Sequence, residues 1–172
     1  HANVHLCRKI EHMIQRLQTV YLALVAIIGM CMYFFPLVSL VPSAAGSLPT
    51  IYHISALQVT MLDNGTESML VRYWPTLILT AVIIAFSVVT ILQYKKRLQQ
   101  IKFTHLLMIL LIAQVLLLAF DVEQLRGVAG EGYMISYNVF TILPVLQIIF
   151  CRLATAGIKK DEALVRSADR LR

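Results

Sequence analysis

A chain of 172 residues with 59% hydrophobic and 14% charged side chains lies far from the roughly 25% charge of ordinary soluble domains, and its mean hydropathy of +0.76 means more apolar surface than one soluble core can bury. A net charge of +6 would suit nucleic acid if the basic residues formed a patch, but they fall instead in short blocks between apolar runs, which argues against that partner. Cys7, Cys31 and Cys151 have no CxxC spacing, which argues against a disulfide framework or a paired redox site.

The charge-free runs set the class. Leu17–Leu62 contains no Asp, Glu, Lys or Arg, and neither do Tyr73–Tyr94, Phe103–Phe120 and Gly132–Cys151. The last three are 22, 18 and 20 residues long, against about 20 needed to span hydrocarbon as a helix. Lipid offers backbone N–H and C=O groups no partner, so such runs are expected to be helical. The expected fold is an all-α membrane protein with four transmembrane helices, up-down-up-down, at about residues 17–40, 73–94, 103–120 and 134–157, with outside loops at 41–72 and 121–133.

In chain order, the sequence opens on His1, and Met13-Ile14-Gln15-Arg16 then begins a short basic flank. Residues 1–12 read as an extraneous or disordered extension and 13–157 as the transmembrane domain. Ser43-Ala44-Ala45 could suit signal cleavage, but Leu17–Val41 is 25 uncharged residues, longer than a signal-peptide core of about 7–15, so a retained anchor is expected. Tyr33, Phe34 and Phe35 mark the outer end of the first helix, and Pro36 kinks or ends it. Leu57–Met61 alternates apolar and polar, Asp63-Asn64-Gly65 is a turn signal, and Met69, Val71 and Tyr73 alternate again. This pattern predicts a short β-hairpin outside the membrane, with an irregular loop as the alternative. Arg72-Tyr73-Trp74-Pro75 opens the second helix with interfacial aromatics and a first-turn proline. Gly127, Gly130 and Gly132 lie in the second outside loop. Pro144, near the middle of the fourth helix, should free the Phe140 carbonyl and bend that helix.

The basic residues then set the orientation. With the N-terminus inside, the inner segments hold Arg8, Lys9, Arg16, Lys95, Lys96, Arg97, Lys102, Arg152, Lys159, Lys160, Arg166, Arg170 and Arg172, which is 13 of 15. Only Arg72 and Arg126 fall outside, beside Asp63, Glu67, Asp121, Glu123 and Glu131. The positive-inside rule therefore puts both termini in the cytoplasm.

No ionisable residue falls at the centre of an expected span, which weighs against proton-coupled exchange. His53 and His105 lie at opposite ends, so neither haem nor zinc is expected, and no other cofactor is implied. No Gly-rich phosphate loop, GxSxG or Ser-His-Asp pattern occurs. Gln114 and Gln147, near the middles of helices 3 and 4, read as interhelical hydrogen-bonding groups worth about 0.6–2 kcal/mol; a polar cavity lining is the alternative. Ala81 and Ala85 form a small-xxx-small pair for a neighbouring helix.

Residues 158–172 form a cytoplasmic tail with eight charged residues. Ile158, Leu164, Val165, Ala168 and Leu171 share one helical arc, and Glu162 and Arg166 form an i,i+4 pair. Leu164, Val165, Ala168 and Leu171, with Arg166 and Arg170, are the candidate partner contact. Met13–Leu22 and the Lys159–Arg172 tail resemble a family of small four-helix inner-membrane proteins from Bacteroidota, a domain of unknown function. The resemblance covers about Met13–Arg172 and implies an envelope location without supplying an activity. The expected protein is non-catalytic, lies in the bacterial cytoplasmic membrane, and serves as an accessory or scaffold subunit bound to another membrane protein or a second copy of itself. A carrier or channel for a lipid or small apolar molecule, working through Gln114 and Gln147, is the first alternative. A membrane enzyme is the second.

Overall fold

The computed structural model describes the backbone of residues 2–42, 50–63, 66–71, 73–93, 96–130 and 132–170, and their side chains except at 2–17, 66–67, 69–71, 97, 128, 164–166 and 168–170. Four α-helices, α1 (Ala2–Phe34), α2 (Trp74–Leu92), α3 (Arg97–Ala129) and α4 (Leu143–Arg170), are joined at one end by a five-stranded sheet. Its strands are β1 (Val38–Pro42), β2 (Ile51–Ile54), β3 (Val59–Asp63), β4 (Thr66–Val71) and β5 (Tyr133–Tyr137). Every pairing is antiparallel, in the order β4-β3-β2-β1-β5.

Both outside loops contribute to that sheet, and this revises several expected boundaries. The first helix stops at Phe34, not near residue 40. The ring of Pro36 disfavours helical geometry at Phe35 and supplies no N–H, and the β-branched Val38 and Val41 then enter a strand. The expected hairpin is present as β3–β4, with Asp63 opposite Thr66; its turn, Asn64-Gly65, lies outside the described residues. The second helix matches its expected span within two residues and carries Pro75 in its first turn.

α3 is much longer than the expected 103–120. Nothing in Arg97–Lys102 or Asp121–Arg126 breaks a helix, so Asp121 and Glu123 belong to it. It ends at Gly130, whose φ of 87° is a backbone state that glycine adopts without steric cost. Residues 134–138 are not helical. Tyr133, Ile135 and Tyr137 alternate along β5, which pairs with β1 from Val38↔Tyr137 to Pro42↔Tyr133. A 3-10 turn over Val139–Ile142 leads into α4, so Pro144 stands in a first helical turn, where a missing N–H costs nothing. The expected mid-helix bend at Pro144 does not occur. α4 also runs on through the tail to Arg170, because no proline or glycine follows Gly157.

α2 is buried on its polar side. Thr76, Thr80, Ile83, Ser87 and Thr90 face inward, while Trp74, Ile78, Val82, Val88, Val89 and Leu92 are exposed. A soluble helix does the opposite. Between helices in lipid there is no hydrophobic driving force, so small side chains and hydrogen bonds occupy the interfaces. Thr80, Ser87 and Thr90 donate to the carbonyls of Thr76, Ile84 and Phe86 at 2.7–2.8 Å. Ala81 and Ala85 are exposed, so the expected small-residue pair is not the packing face.

Two buried clusters result. One lies among the helices around Leu22, Val25, Ile83, Leu107, Leu111 and Cys151. The other lies where the sheet meets them, around Met32, Leu37, Leu40, Ile54, Val59 and Leu125. The β2–β3 connection reaches back to α1, where the Ala56 N–H donates to the Met32 carbonyl at 3.0 Å and satisfies one of the last-turn acceptors a helix leaves open.

Candidate functional site

Three helices, α2, α3 and α4, are long and apolar enough to cross a membrane, and α1 contributes a shorter apolar stretch, Gln18–Phe34. Between these helices runs a seam of polar groups. The Thr76 hydroxyl donates to the carboxylate of Asp121, which is 4% exposed. One turn along, Gln114 Nε2 donates to Thr80 Oγ1 at 3.0 Å and approaches Met32 Sδ at 3.7 Å. Gln147 Nε2 donates to the Val25 carbonyl at 3.0 Å. The structure thus ties both predicted glutamines to α1, through Met32 and Val25, and both are fully buried. The Oε1 atoms of both have no hydrogen-bond partner among the described residues.

Close packing surrounds Gln147. A Cβ placed on Gly29 would lie 2.9 Å from Ile84 Cγ1 and 3.1 Å from Gln147 Nε2, so α1, α2 and α4 meet there without spare room. Since the Gln147 amide makes one hydrogen bond and leaves an acceptor bare, its net contribution is small. We expect Gln147→Leu to change unfolding free energy by less than about 1 kcal/mol, measured by denaturation in detergent; a loss much beyond that would mean the orphan oxygen has a partner essential to the fold.

Across the sheet, Ser39 and His53 are register partners on β1 and β2, with Ser39 Oγ 2.9 Å from His53 Nδ1. Asn138 Nδ2 donates to Ser39 Oγ at 2.9 Å and to the Pro36 carbonyl at 3.2 Å. At the opposite end of the helices, His105 Nε2 lies 3.3 Å from Lys159 Nζ. Among the described residues, no three His, Cys, Asp or Glu side chains converge where a metal could sit. Arg152, Lys159 and Lys160 are exposed on α4, Lys96 before α3 and Lys102 on it. Lys95 and the tail's Leu171 and Arg172 lie outside the described residues, and the side chains of Arg16, Arg97, Leu164, Val165, Arg166, Ala168 and Arg170 are likewise not described.

Two tyrosines at the sheet end are shifted. Burial, aided by neighbouring Tyr133, raises the Tyr52 hydroxyl above its ordinary value; burial and the Asp121 carboxylate do the same for Tyr73. Both therefore stay protonated to higher pH than an ordinary tyrosine. Their stabilising contribution is complete below the unfolded value of about 10 and is lost as pH rises through the raised folded values. Titration of tyrosinate absorbance should show a late fraction that shrinks in Tyr52→Phe and Tyr73→Phe; equal titration of all tyrosines would refute the shifts.

An apolar cavity of about 350 Å³ lies between the sheet and the helices. Leu37, just before β1, covers it together with Val38, Ile54 and Ile135 of β1, β2 and β5, and Val115, Leu118, Ala119 and Val122 on one face of α3 form its side. Sequence reading missed this cavity because its two walls lie far apart in the chain. The only hint was the i, i+3, i+4, i+7 spacing on α3.

A polar inner face, an apolar outer face and aromatic residues at the sheet end define a helical membrane protein. The chain belongs to the family described as a domain of unknown function (DUF4293), whose profile matches residues 14–171. No curated protein matches it.

Proposed function

We propose that this protein crosses a bacterial cytoplasmic membrane four times, with both termini inside and the sheet outside, and that it acts without catalysis as an accessory or scaffold subunit for another membrane protein. The observation that carries this reading is the close approach of α1, α2 and α4 at Gly29, Ile84 and Gln147. A carrier working through Gln114 and Gln147 would need a polar passage there, whereas both amides are engaged with neighbouring helices. Catalysis has little to work with. Ser39 is 4% exposed and its oxygen already accepts from Asn138, so the Ser39–His53 pair acts as a cross-strand tie and not as an accessible nucleophile. The orientation rests on the basic blocks, which fall at the helix ends away from the sheet.

Purification in gentle detergent followed by mass spectrometry tests the subunit reading. A stoichiometric membrane-protein partner or a defined homo-oligomer is expected, and recovery of a monomer alone would overturn it. Combined replacement of Leu164, Ala168 and Leu171 by Ser should release that partner if the tail is the contact; undiminished retention would move the contact elsewhere. For the orientation, an impermeant thiol reagent applied to intact cells should label Ser136→Cys but not Lys159→Cys.

A further inference from the structure

The apolar cavity under the sheet is continuous in its lining with a second, more polar cleft. Glu123 borders both, and the cleft adds Arg126, Gly127, Gly130, Gly132 and Tyr133 over about 580 Å³. Glu123 and Arg126 are three residues apart on α3, hence on one face, and both are exposed. The rim of the apolar part is formed by the exposed Ala119, Tyr137 and Val145. Beside it stand Leu116, Phe120 and Ile142, at 66%, 57% and 54% exposure, on helices apolar enough to span a bilayer. A bilayer spanned by these helices would set the α3 and α4 side of that rim against acyl chains, with the strands, Glu123 and Arg126 at headgroup depth.

The geometry points to a phospholipid site: one acyl chain of a zwitterionic, amine-bearing phospholipid, drawn from the leaflet beside the sheet, enters the slot between the sheet and α3, while Arg126 meets its phosphate and Glu123 its ammonium group. A volume of about 350 Å³ holds on the order of ten methylene-sized groups at about 30 Å³ each, which matches part of one chain and not a whole lipid. The lining favours hydrocarbon over a polar solute. Of its two hydroxyls, that of Thr141 is already donated to the Leu37 carbonyl and that of Tyr137 belongs to an exposed rim residue, and the charge sits only where the slot meets the cleft. An anionic headgroup would satisfy Arg126 but leave Glu123 facing a like charge, whereas a zwitterion answers both. This site is separate from the glutamine seam and independent of the scaffold reading.

Native mass spectrometry of the full chain in dodecyl maltoside, titrated with dioleoyl phosphatidylethanolamine or dioleoyl phosphatidylglycerol, tests the assignment. Wild type should retain one phosphatidylethanolamine with at least fivefold preference over phosphatidylglycerol, and glycerophosphoethanolamine, which lacks chains, should not bind. Ala119→Trp fills the slot from its exposed rim and should weaken retention at least tenfold, while Glu123→Gln should abolish the headgroup preference. Val145→Phe obstructs the same slot from α4, so it replaces Ala119→Trp if that variant fails to elute as a single folded species. Retention within twofold of wild type in the folded slot variant would overturn the chain site. Equal retention of the two lipids by wild type would overturn the headgroup assignment.

Discussion

Gly29→Val should destabilise the helical core by roughly 1–3 kcal/mol, the usual cost of forcing extra methyl groups into a filled interface. A first added carbon would already lie 2.9 Å from Ile84 Cγ1 and 3.1 Å from Gln147 Nε2, and valine adds two more. Ile84 cannot simply swing away, because the close atom is in the middle of its side chain. The amide of Gln147 is held by the Val25 carbonyl one turn back on the same helix as Gly29. Helix propensity works in the opposite direction, since replacing a helical glycine gains up to about 1 kcal/mol, but contacts of 2.9 and 3.1 Å at the first added carbon make the steric conflict the larger effect. Thermal unfolding in detergent decides the matter. A Gly29→Val protein as stable as wild type would show that α1 stands farther from α2 and α4. The comparison with Gln147→Leu is informative because both changes act on one contact: one adds volume where none is free, and the other replaces an amide with a side chain of similar size.

The apolar runs located four helices, because bilayer thickness imposes a length and a composition that a single chain displays openly. The β3–β4 hairpin was also legible, since Asp63-Asn64-Gly65 sits between two alternating stretches. Strand β5 was not. Tyr133–Tyr137 lies in an uncharged run beside a helix, and only its partner β1, some 95 residues earlier, makes it a strand. The same long-range pairing ended the first helix early and moved Pro144 from an expected bend to a helix start. Gln114 and Gln147 stand out because amides are conspicuous in apolar helices; in the structure Gln114 donates to Thr80 on α2 and Gln147 to the Val25 carbonyl on α1. The inward hydroxyl face of α2 was legible as a spacing of polar residues in an apolar run. Thr76, Thr80, Ser87 and Thr90 follow heptad-like spacing and are buried, whereas the small-xxx-small pair Ala81 and Ala85 is exposed. Asp121 was missed for a different reason. It directly follows the uncharged run Phe103–Phe120, so it read as the first loop residue, and only the continuation of α3 to Ala129 turns it inward.

Burial makes Asp121 the site of the second large effect. Its carboxylate is 4% exposed and accepts from Thr76 across the α2–α3 interface, while the backbone of Thr76 accepts the Thr80 hydroxyl that in turn receives Gln114. Thr76→Val keeps the shape of the side chain and removes its donor, leaving an ionisable group buried without that partner. The expected cost is roughly 1–3 kcal/mol, toward the upper end for a charged acceptor. Asp121→Leu in the Thr76→Val background removes the stranded group as well, so the double variant should be more stable than Thr76→Val alone. A coupling of at least about 1 kcal/mol between the two positions is expected for groups in direct contact; strict additivity would mean that Asp121 is solvated by something other than Thr76. If the double variant matches or exceeds wild type in stability, the fold does not need the carboxylate. An acid in a helix apolar enough to span a membrane is costly to keep, so its retention would then point to a role outside stability, at the end of the α2–α3 seam nearest the sheet.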